Sequence, residues 1–113
     1  MERNLQRSVI DWLRHQPYCR VTNIHGSSYQ EKGISDLIVC YKGRHCVFEL
    51  KDEADIEEVQ LAYLRSVRRA QGIAEIIYDI ETIKIIFKCI DRGDTWEPQS
   101  DLSPRRRRLH SKD

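Results

Sequence analysis

The sequence lacks the features that mark membrane proteins, secreted proteins and zinc-binding proteins. No apolar run approaches the ~20 residues that a membrane-spanning helix needs, and the first residues, MERN, do not resemble a signal peptide. No CxxC pair is present. The cysteines fall mostly in apolar, strand-like stretches, so we interpret them as reduced, buried thiols rather than zinc ligands or disulfides; they are Cys19, Cys40, Cys46 and Cys89. We therefore expect a cytoplasmic protein.

A strong charge of one sign is also missing from most of the chain. Residues 104–113 contain five basic and one acidic side chain, a net charge of +4. The remaining residues contain 14 basic and 17 acidic side chains, a net charge of −3. Because this main part is slightly acidic, affinity for a nucleic acid would need local basic patches, the tail or a bound metal ion.

The chain of 113 residues is long enough for one domain with a single core. Helical spacing of Leu5, Val9, Trp12 and Leu13 predicts an amphipathic helix over residues 2–15. A strand is predicted over residues 18–24, followed by a polar loop up to Gly33. A glycine there lets the chain turn sharply and lets a substrate backbone approach closely.

The stretch that organises the rest is a predicted hairpin of two apolar strands, Leu37–Tyr41 and His45–Leu50, with a turn at residues 42–44. In an antiparallel hairpin the start of one strand lies beside the end of the other. We therefore expect Asp36, Glu49 and Lys51 to converge at one edge of the sheet. Two carboxylates can hold a hard cation, and a lysine can steady a nucleophilic water or a developing negative charge. Solvated charges at strand ends are the competing interpretation.

The second half of the chain predicts a long helix, a parallel strand and a further element. A helix is expected over residues 56–71, with Asp55 as N-cap, Glu58 completing a capping box and Gly72 at C′. A strand over residues 73–78 would lie parallel to the hairpin through this crossover. Residues 80–90, capped by Asp79, fit a helix and a strand equally well. The buried stripe of the long helix is expected at Ile56, Val59, Tyr63 and Val67, widened by Ala62 and Leu64.

The pattern Asp36, then Glu49-Leu50-Lys51 after a short spacer, resembles the PD-(D/E)XK nuclease signature. The form GISD…FELK is most similar to the small stand-alone VRR-NUC (virus-type replication-repair nuclease) domains. This resemblance implies a restriction-endonuclease-like α/β core, a mixed sheet with flanking helices in the order α-β-β-β-α-β-α, over residues 1–92, and it favours a helix at residues 80–90. Ser35 stands where the superfamily often has proline.

The resemblance also implies a metal site and a substrate. Asp36, Glu49 and the backbone carbonyl of Leu50 would bind Mg²⁺, or Mn²⁺ in its place, and Glu2 would join them from the first helix. Gln60, in EEVQLAYL, would face the site. Stand-alone members act as homodimers on branched DNA such as four-way junctions, in phage-infected or bacterial cells. No small-molecule cofactor and no membrane partner are expected.

Basic residues supply the expected DNA contacts. Gly33 lies before the site. Basic side chains on the long helix and in the tail would meet the phosphate backbone; they are Arg65, Arg68, Arg69, Arg105, Arg106, Arg107 and Arg108. The equal alternatives are a solvated basic face for the helix and an ordinary disordered basic terminus for the tail. Residues 93–113 lack periodicity and predict a flexible basic tail. Two other classes stay open, namely a non-catalytic nucleic-acid-binding module and a protein-interaction subunit of a repair complex.

Overall fold

The computed structural model describes residues 2–24, 36–50 and 55–104, without the side chains of residues 2 and 3. It is a mixed α/β structure with a four-stranded sheet and three helices. The elements are α1 (Glu2–Arg14), β1 (Cys19–Asn23), β2 (Leu37–Tyr41), β3 (Arg44–Leu50), α2 (Glu58–Arg69), β4 (Ile73–Ile77) and α3 (Ile80–Asp91). The predicted order of helices and strands is therefore confirmed.

The sheet has the order β1-β2-β3-β4, in which only β3 and β4 are parallel. The hairpin between β2 and β3 closes through Lys42 and Gly43, whose φ angles are 48° and 84°. Positive φ at both central residues is typical of a type I′ turn, which matches the twist of the flanking strands. Arg44 pairs with Tyr41, so the turn is one residue tighter than the sequence predicts.

Apolar side chains cover the two faces of the sheet in separate layers. Helices α1 and α3 pack on one face, where Phe48 of β3 is fully buried. Helix α2 packs on the other face, over Val47. Because successive strand residues point to opposite faces, β3 contributes to both layers and is buried from Cys46 to Leu50. Strand β3 is thus covered on both faces up to its end at Leu50, where the predicted site begins.

Helix α2 begins and ends differently from the prediction. Its N-cap is Glu57 rather than Asp55. The C′ residue is Gln71, with a φ of 73°, while the N–H of Gly72 bonds to the carbonyl of Val67 in a Schellman arrangement. Gly72 instead lies where the chain passes close to the side chain of Val67, since an added Cβ would lie 2.8 Å from Val67 Cγ1. The buried residues of the helix are Leu61, Leu64 and Val67; the predicted Val59 and Tyr63 are half-buried.

The last predicted element is a helix. Asp79 caps α3, and its carboxylate accepts hydrogen bonds from the backbone N–H and the hydroxyl of Thr82 at 3.0 Å. Ile83, Ile86 and Phe87 are buried, whereas Ile85 is 55% exposed. The helical interpretation of residues 80–90 is therefore confirmed.

Residues 94–104, which we call the C-terminal strap, pack against β4 and α2. The sequence predicts a flexible tail from residue 93, but Leu102 is only 5% exposed and belongs to the layer under α2. Trp96 packs against the opposite layer. The strap therefore crosses the edge of the sheet at β4. The remaining tail, residues 105–113, lies outside the described residues.

The cysteines divide into buried and accessible thiols. All four are free; Cys46 and Cys89 are buried, Cys19 is half-buried and Cys40 is exposed. Burial raises the pKa of Cys46 to about 12. The expected burial is thus wrong for Cys40, which lies on the part of β2 that α2 leaves uncovered. Across the ranges that the structure describes, no helix is long and apolar enough to cross a membrane.

Candidate active site at the ends of two strands

Asp36 and Glu49, which we call the acidic pair, lie side by side at the open end of the β2–β3 hairpin. The exposed fraction is 7% for Asp36 and 0% for Glu49. Asp36 Oδ2 accepts a hydrogen bond from the N–H of Leu50 at 3.1 Å, and Glu49 Oε1 accepts one from the N–H of Asp36 at 3.3 Å. The backbone at each strand end therefore donates a hydrogen bond to the carboxylate at the end of the neighbouring strand.

The strand register explains why these two side chains meet. Leu37 pairs with Phe48, so the next position along the hairpin places Asp36 beside Glu49. Leu37 and Phe48 point to the layer of α1 and α3. Because side chains alternate along a strand, the carboxylates of Asp36 and Glu49 point to the α2 face. A shift of one residue in the register would separate them.

Gln60 of α2 connects the acidic pair to the start of its helix. Its Nε2 donates to Glu49 Oε2 at 2.8 Å, and its Oε1 accepts from the backbone N–H of Glu57 at 2.9 Å. Gln60 is the N3 residue of the helix, and Glu57 and Gln60 form the capping box. The cap fixes which way the amide faces, because Oε1 is held by a donor and Nε2 must then face the carboxylate. The sequence predicts Gln60 at the site but not this role of Glu57.

Two further metal ligands are predicted, Leu50 and Glu2, and the structure places the backbone of Leu50 at this end of the sheet. The N–H of Leu50 points to Asp36, and in a regular strand the carbonyl of a residue points to the same side as its N–H. Glu2 is the first residue of α1, and its side chain lies outside the described part. One turn later, Gln6 Nε2 lies 3.5 Å from Asn23 Oδ1, and Ile24 bonds to the carbonyl of Asp36. Gln6 therefore lies at the end of β1 that pairs with the start of β2, which is the end of the sheet that holds Asp36.

Several predicted site residues fall outside the described ranges. Lys51, the predicted catalytic lysine, directly follows Leu50, and Gly33 precedes Asp36 in the sequence. Arg105, Arg106, Arg107 and Arg108 also lie outside. The predictions for these six residues stay predictions.

The arginines of α2 have internal partners on the flank that faces the strap. Arg65 bonds to Glu58 and to the carbonyl of Leu102. Arg68 bonds to the carbonyls of Ala74 and Ser100 at 3.1 Å, and to Glu75. Only Arg69 is classed as exposed among the three. Arg65 and Arg68 thus hold the strap in place, which differs from the phosphate contacts predicted for them.

Glu75 on β4 is a second buried carboxylate, and sequence reasoning missed it. It is 1% exposed and accepts hydrogen bonds from Arg68, from Trp96 Nε1, and from the backbone of Gln99 and Ser100. The hydroxyl of Ser100 donates to it as well. A single glutamate inside the apolar stretch IAEIIY could have drawn attention to it, because a charge inside a buried strand needs partners.

Two surface cavities in the described part of the chain lie beside Glu75. Two cavities of about 590 and 340 Å³ are both lined by Glu75 and Trp96. Among the described side chains, no group of three His, Cys, Asp or Glu residues is arranged to hold a metal ion. Asp36 and Glu49 are two carboxylates, so a metal here would take its other ligands from backbone, water, substrate or side chains outside the described ranges.

Comparisons of this chain with protein families, with curated proteins and with solved structures find no match. The function must therefore be argued from the geometry of the chain's own residues.

Proposed function

We propose that this protein is a metal-dependent DNA endonuclease with a restriction-endonuclease-like fold. The observation that carries the proposal is the acidic pair, two buried carboxylates brought together by the ends of adjacent strands and joined to α2 by Gln60. The element order, with a parallel fourth strand after the hairpin, supports the proposed fold, because it is the order that the VRR-NUC resemblance implies.

The donor set fits a hard divalent cation. Mg²⁺ prefers oxygen ligands and keeps several waters, and it is often held by one or two carboxylates together with substrate phosphates. Asp36, Glu49 and the Leu50 carbonyl would hold such an ion, with Glu2 as a further candidate and Mn²⁺ as a substitute. When bound, the ion would supply Lewis acidity and a more acidic water.

The protein's own residues would orient the reactants. Gln60 and the N–H of Asp36 fix the two oxygens of Glu49, so this carboxylate keeps one orientation. We assign to Lys51 the positioning of the attacking water or the neutralisation of the charge that develops on the phosphate. Positioning of this kind accounts for much of the rate enhancement in phosphoryl chemistry.

The substrate proposal is branched DNA, cut by a homodimer. The described residues form one four-stranded sheet with three helices, so recognition by this domain would rely on shape and on the phosphate backbone. A twofold dimer suits a twofold substrate such as a four-way junction. Light scattering at micromolar concentration tests the dimer, and a strict monomer would contradict the junction-resolving version.

The decisive experiment compares wild type, Asp36→Ala and Lys51→Ala on labelled linear duplex, single strand, flap and four-way junction. Each reaction contains Mg²⁺, Mn²⁺ or EDTA. Asp91→Asn is the matched control, because Asp91 is a surface carboxylate bonded to Lys42 and Tyr41, in another part of the fold. We expect metal-dependent cutting by wild type and the control, and none by the other two. Full activity of Asp36→Ala would contradict the nuclease, and tight metal-independent binding without cutting would favour a binding module.

A further inference from the structure

We propose that the larger cavity beside Glu75 binds an unstacked nucleobase of the DNA that is cut at the acidic pair. This cavity, which we call the base pocket, is lined by Tyr78, Ile85, Trp96 and Ser100 among others, and its volume is about 590 Å³. Pockets that bind small ligands usually have volumes of ~300–1,000 Å³. The inference rests on the proposed nuclease function and deepens it, because it names the feature of branched DNA that would be recognised, an unpaired base near the scissile bond.

Exposed apolar side chains gather on the wall of the base pocket. Tyr78 is 53% exposed and Ile85 is 55% exposed, and both line the cavity. Within the described ranges only one other large apolar side chain, Tyr18, is exposed to a similar extent. Trp96 of the strap adds a half-buried indole. Single exposed apolar residues are normal on a protein surface, whereas several that meet in one concave place indicate a binding site.

Hydrogen bonds fix the wall of the base pocket before any ligand is bound. The indole N–H of Trp96 donates to Glu75 at 2.7 Å, and the backbone N–H of Ser100 donates to the same carboxylate at 2.8 Å. The hydroxyl of Ser100 accepts the N–H of Ile76 at 2.8 Å, which ties the strap to the outer edge of β4. A wall that is already ordered loses little conformational entropy when a ligand binds.

The charges of the base pocket favour a neutral ring over a phosphate group. Its charged lining residues are two carboxylates, Glu75 and Asp101, and no described lysine or arginine lines it. Arg68, at 3.2 Å, compensates the charge of Glu75 from outside the cavity. Phosphate groups bind mainly to cationic and N–H donors, whereas every nucleobase has a neutral aromatic face that stacks on aromatic side chains. A base is therefore the part of DNA that fits this wall.

The base pocket lies close to the acidic pair. Glu49 pairs with Ile76 in the parallel ladder of β3 and β4, and Ile76 lines the base pocket. Tyr78 directly follows the end of β4, at the same end of the sheet as the acidic pair. Because neighbouring strands lie about 4.8 Å apart, the outer edge of β4 is about 10 Å from the backbone of Glu49. Successive bases of a stacked strand lie about 3.4 Å apart, so a base about three nucleotides from the scissile bond can reach the pocket.

The test is a double-mutant cycle on DNA binding, measured by fluorescence anisotropy in EDTA, between Tyr78→Ala and a single abasic residue in the DNA. The DNA is a labelled flap in which the abasic residue is placed at successive positions of the unpaired strand near the branch. A blunt duplex is the comparison. Tyr78→Phe keeps the ring, and Tyr18→Ala is the matched control, because Tyr18 is 78% exposed and its carbonyl bonds to Lys42 at the other end of the sheet. Circular dichroism establishes that each protein is folded.

We expect Tyr78→Ala to weaken binding of the flap about tenfold, because one base loses its aromatic partner. One abasic position should weaken binding by wild type to the same extent and have no further effect in Tyr78→Ala. Tyr78→Phe and Tyr18→Ala should bind the flap as wild type does, and all proteins should bind the blunt duplex equally.

The outcomes separate this proposal from the nuclease itself. If wild type cuts DNA but no abasic position is coupled to Tyr78, the base pocket alone is overturned. If the coupling is found but no metal-dependent cutting occurs, the base pocket stands as part of a binding module and the nuclease fails. If wild type binds no DNA at all, both proposals are overturned.

Discussion

Glu49 and Glu75 are buried glutamates on the adjacent parallel strands β3 and β4, and their surroundings differ in kind. Glu75 accepts donors from a guanidinium, an indole, a hydroxyl and two backbone N–H groups. Glu49 accepts amide N–H donors from Gln60 and Asp36, and a second carboxylate lies beside it. A buried carboxylate that meets a fixed arginine is suited to holding the fold together. A pair of adjacent carboxylates is suited to binding an exchangeable cation.

The different roles follow from strand position. Phe48 pairs with Glu75, and Glu49 pairs with Ile76, so the two glutamates point to opposite faces of the sheet. Glu75 lies on the edge strand, where Arg68 can reach it around the edge from α2. Glu49 lies on an inner strand, next to the end of β2, where Asp36 enters. The position of each strand in the sheet therefore decides whether its glutamate meets Arg68 or Asp36.

The largest effect is expected from Glu49→Gln, which tests the proposed catalytic side of the comparison. This substitution keeps the size of the side chain but removes its charge, so the candidate metal site loses one of its two carboxylates. We expect cleavage to fall by at least about 10²-fold. The free energy of unfolding should change by no more than about 1 kcal/mol, because loss of the like charge beside Asp36 is offset by the new amide NH2, which must face the donor of Asp36 or of Gln60. Cleavage assays and urea unfolding measure the two outcomes on the same protein. Retained cleavage would place the catalytic group elsewhere.

The mirror experiment is Glu75→Gln, which should have the opposite outcome. Breaking a buried ion pair leaves Arg68, which is 22% exposed, without its counter-charge. We expect the free energy of unfolding to fall by about 3 kcal/mol. At a temperature where the variant is folded, its cleavage of linear duplex should stay within a few-fold of wild type. If Glu75→Gln abolished cleavage without lowering stability, the division between the two glutamates would be incorrect.

A smaller effect is expected at Gln60, which belongs to both the candidate site and the fold. Gln60→Ala removes the donor to Glu49 and the acceptor for the Glu57 N–H, so it should lower cleavage about 10- to 100-fold and unfolding free energy by about 1 kcal/mol. Gln60→Glu is the separating control, because a carboxylate oxygen can still accept the Glu57 N–H but cannot donate to Glu49. We expect Gln60→Glu to keep the helix cap and lose cleavage, with the free energy of unfolding lowered by the like charge added beside Glu49. Equal cleavage in the Ala variant and wild type would limit Gln60 to capping.

The elements up to α3 were predictable because local pattern and tertiary environment agree in them. The hairpin combines two apolar strands with a glycine turn, and this alone brings Asp36 beside Glu49. The cap of α2 was less certain, since Asp55 with Glu58 and Glu57 with Gln60 both have capping-box spacing. The structure has the second, in which Gln60 gains an additional hydrogen bond to Glu49. The spacing of residues within the helix could not predict this contact, because Glu49 lies on another element of the fold.

The strap was not predictable for a related reason. Its apolar residues, Trp96 and Leu102, are isolated in the sequence and show no period. They are held by Glu75, Arg65 and Arg68, which lie on other elements and whose own partners depend on the fold. Polar composition with two prolines resembles that of a flexible tail. Only the tertiary contacts distinguish the packed strap from a flexible tail of the same composition.

The smallest effect is expected at Asp91, an exposed carboxylate that provides the surface counterpart to the two buried glutamates. Hydrogen bonds from Lys42 and then Tyr41 lower the pKa of Asp91 below its usual value. A lowered carboxylate pKa gives stability that is present above the unfolded-state pKa of about 4 and is lost as the pH falls through the folded-state pKa. Asp91→Asn should therefore be slightly less stable than wild type between pH 5 and 7, with a difference that shrinks below pH 4. Urea unfolding from pH 3 to 7 measures this, and Lys42→Met should weaken the pH dependence more than Tyr41→Phe. A difference that did not change down to pH 3 would show that the contacts of Asp91 contribute through shape rather than charge.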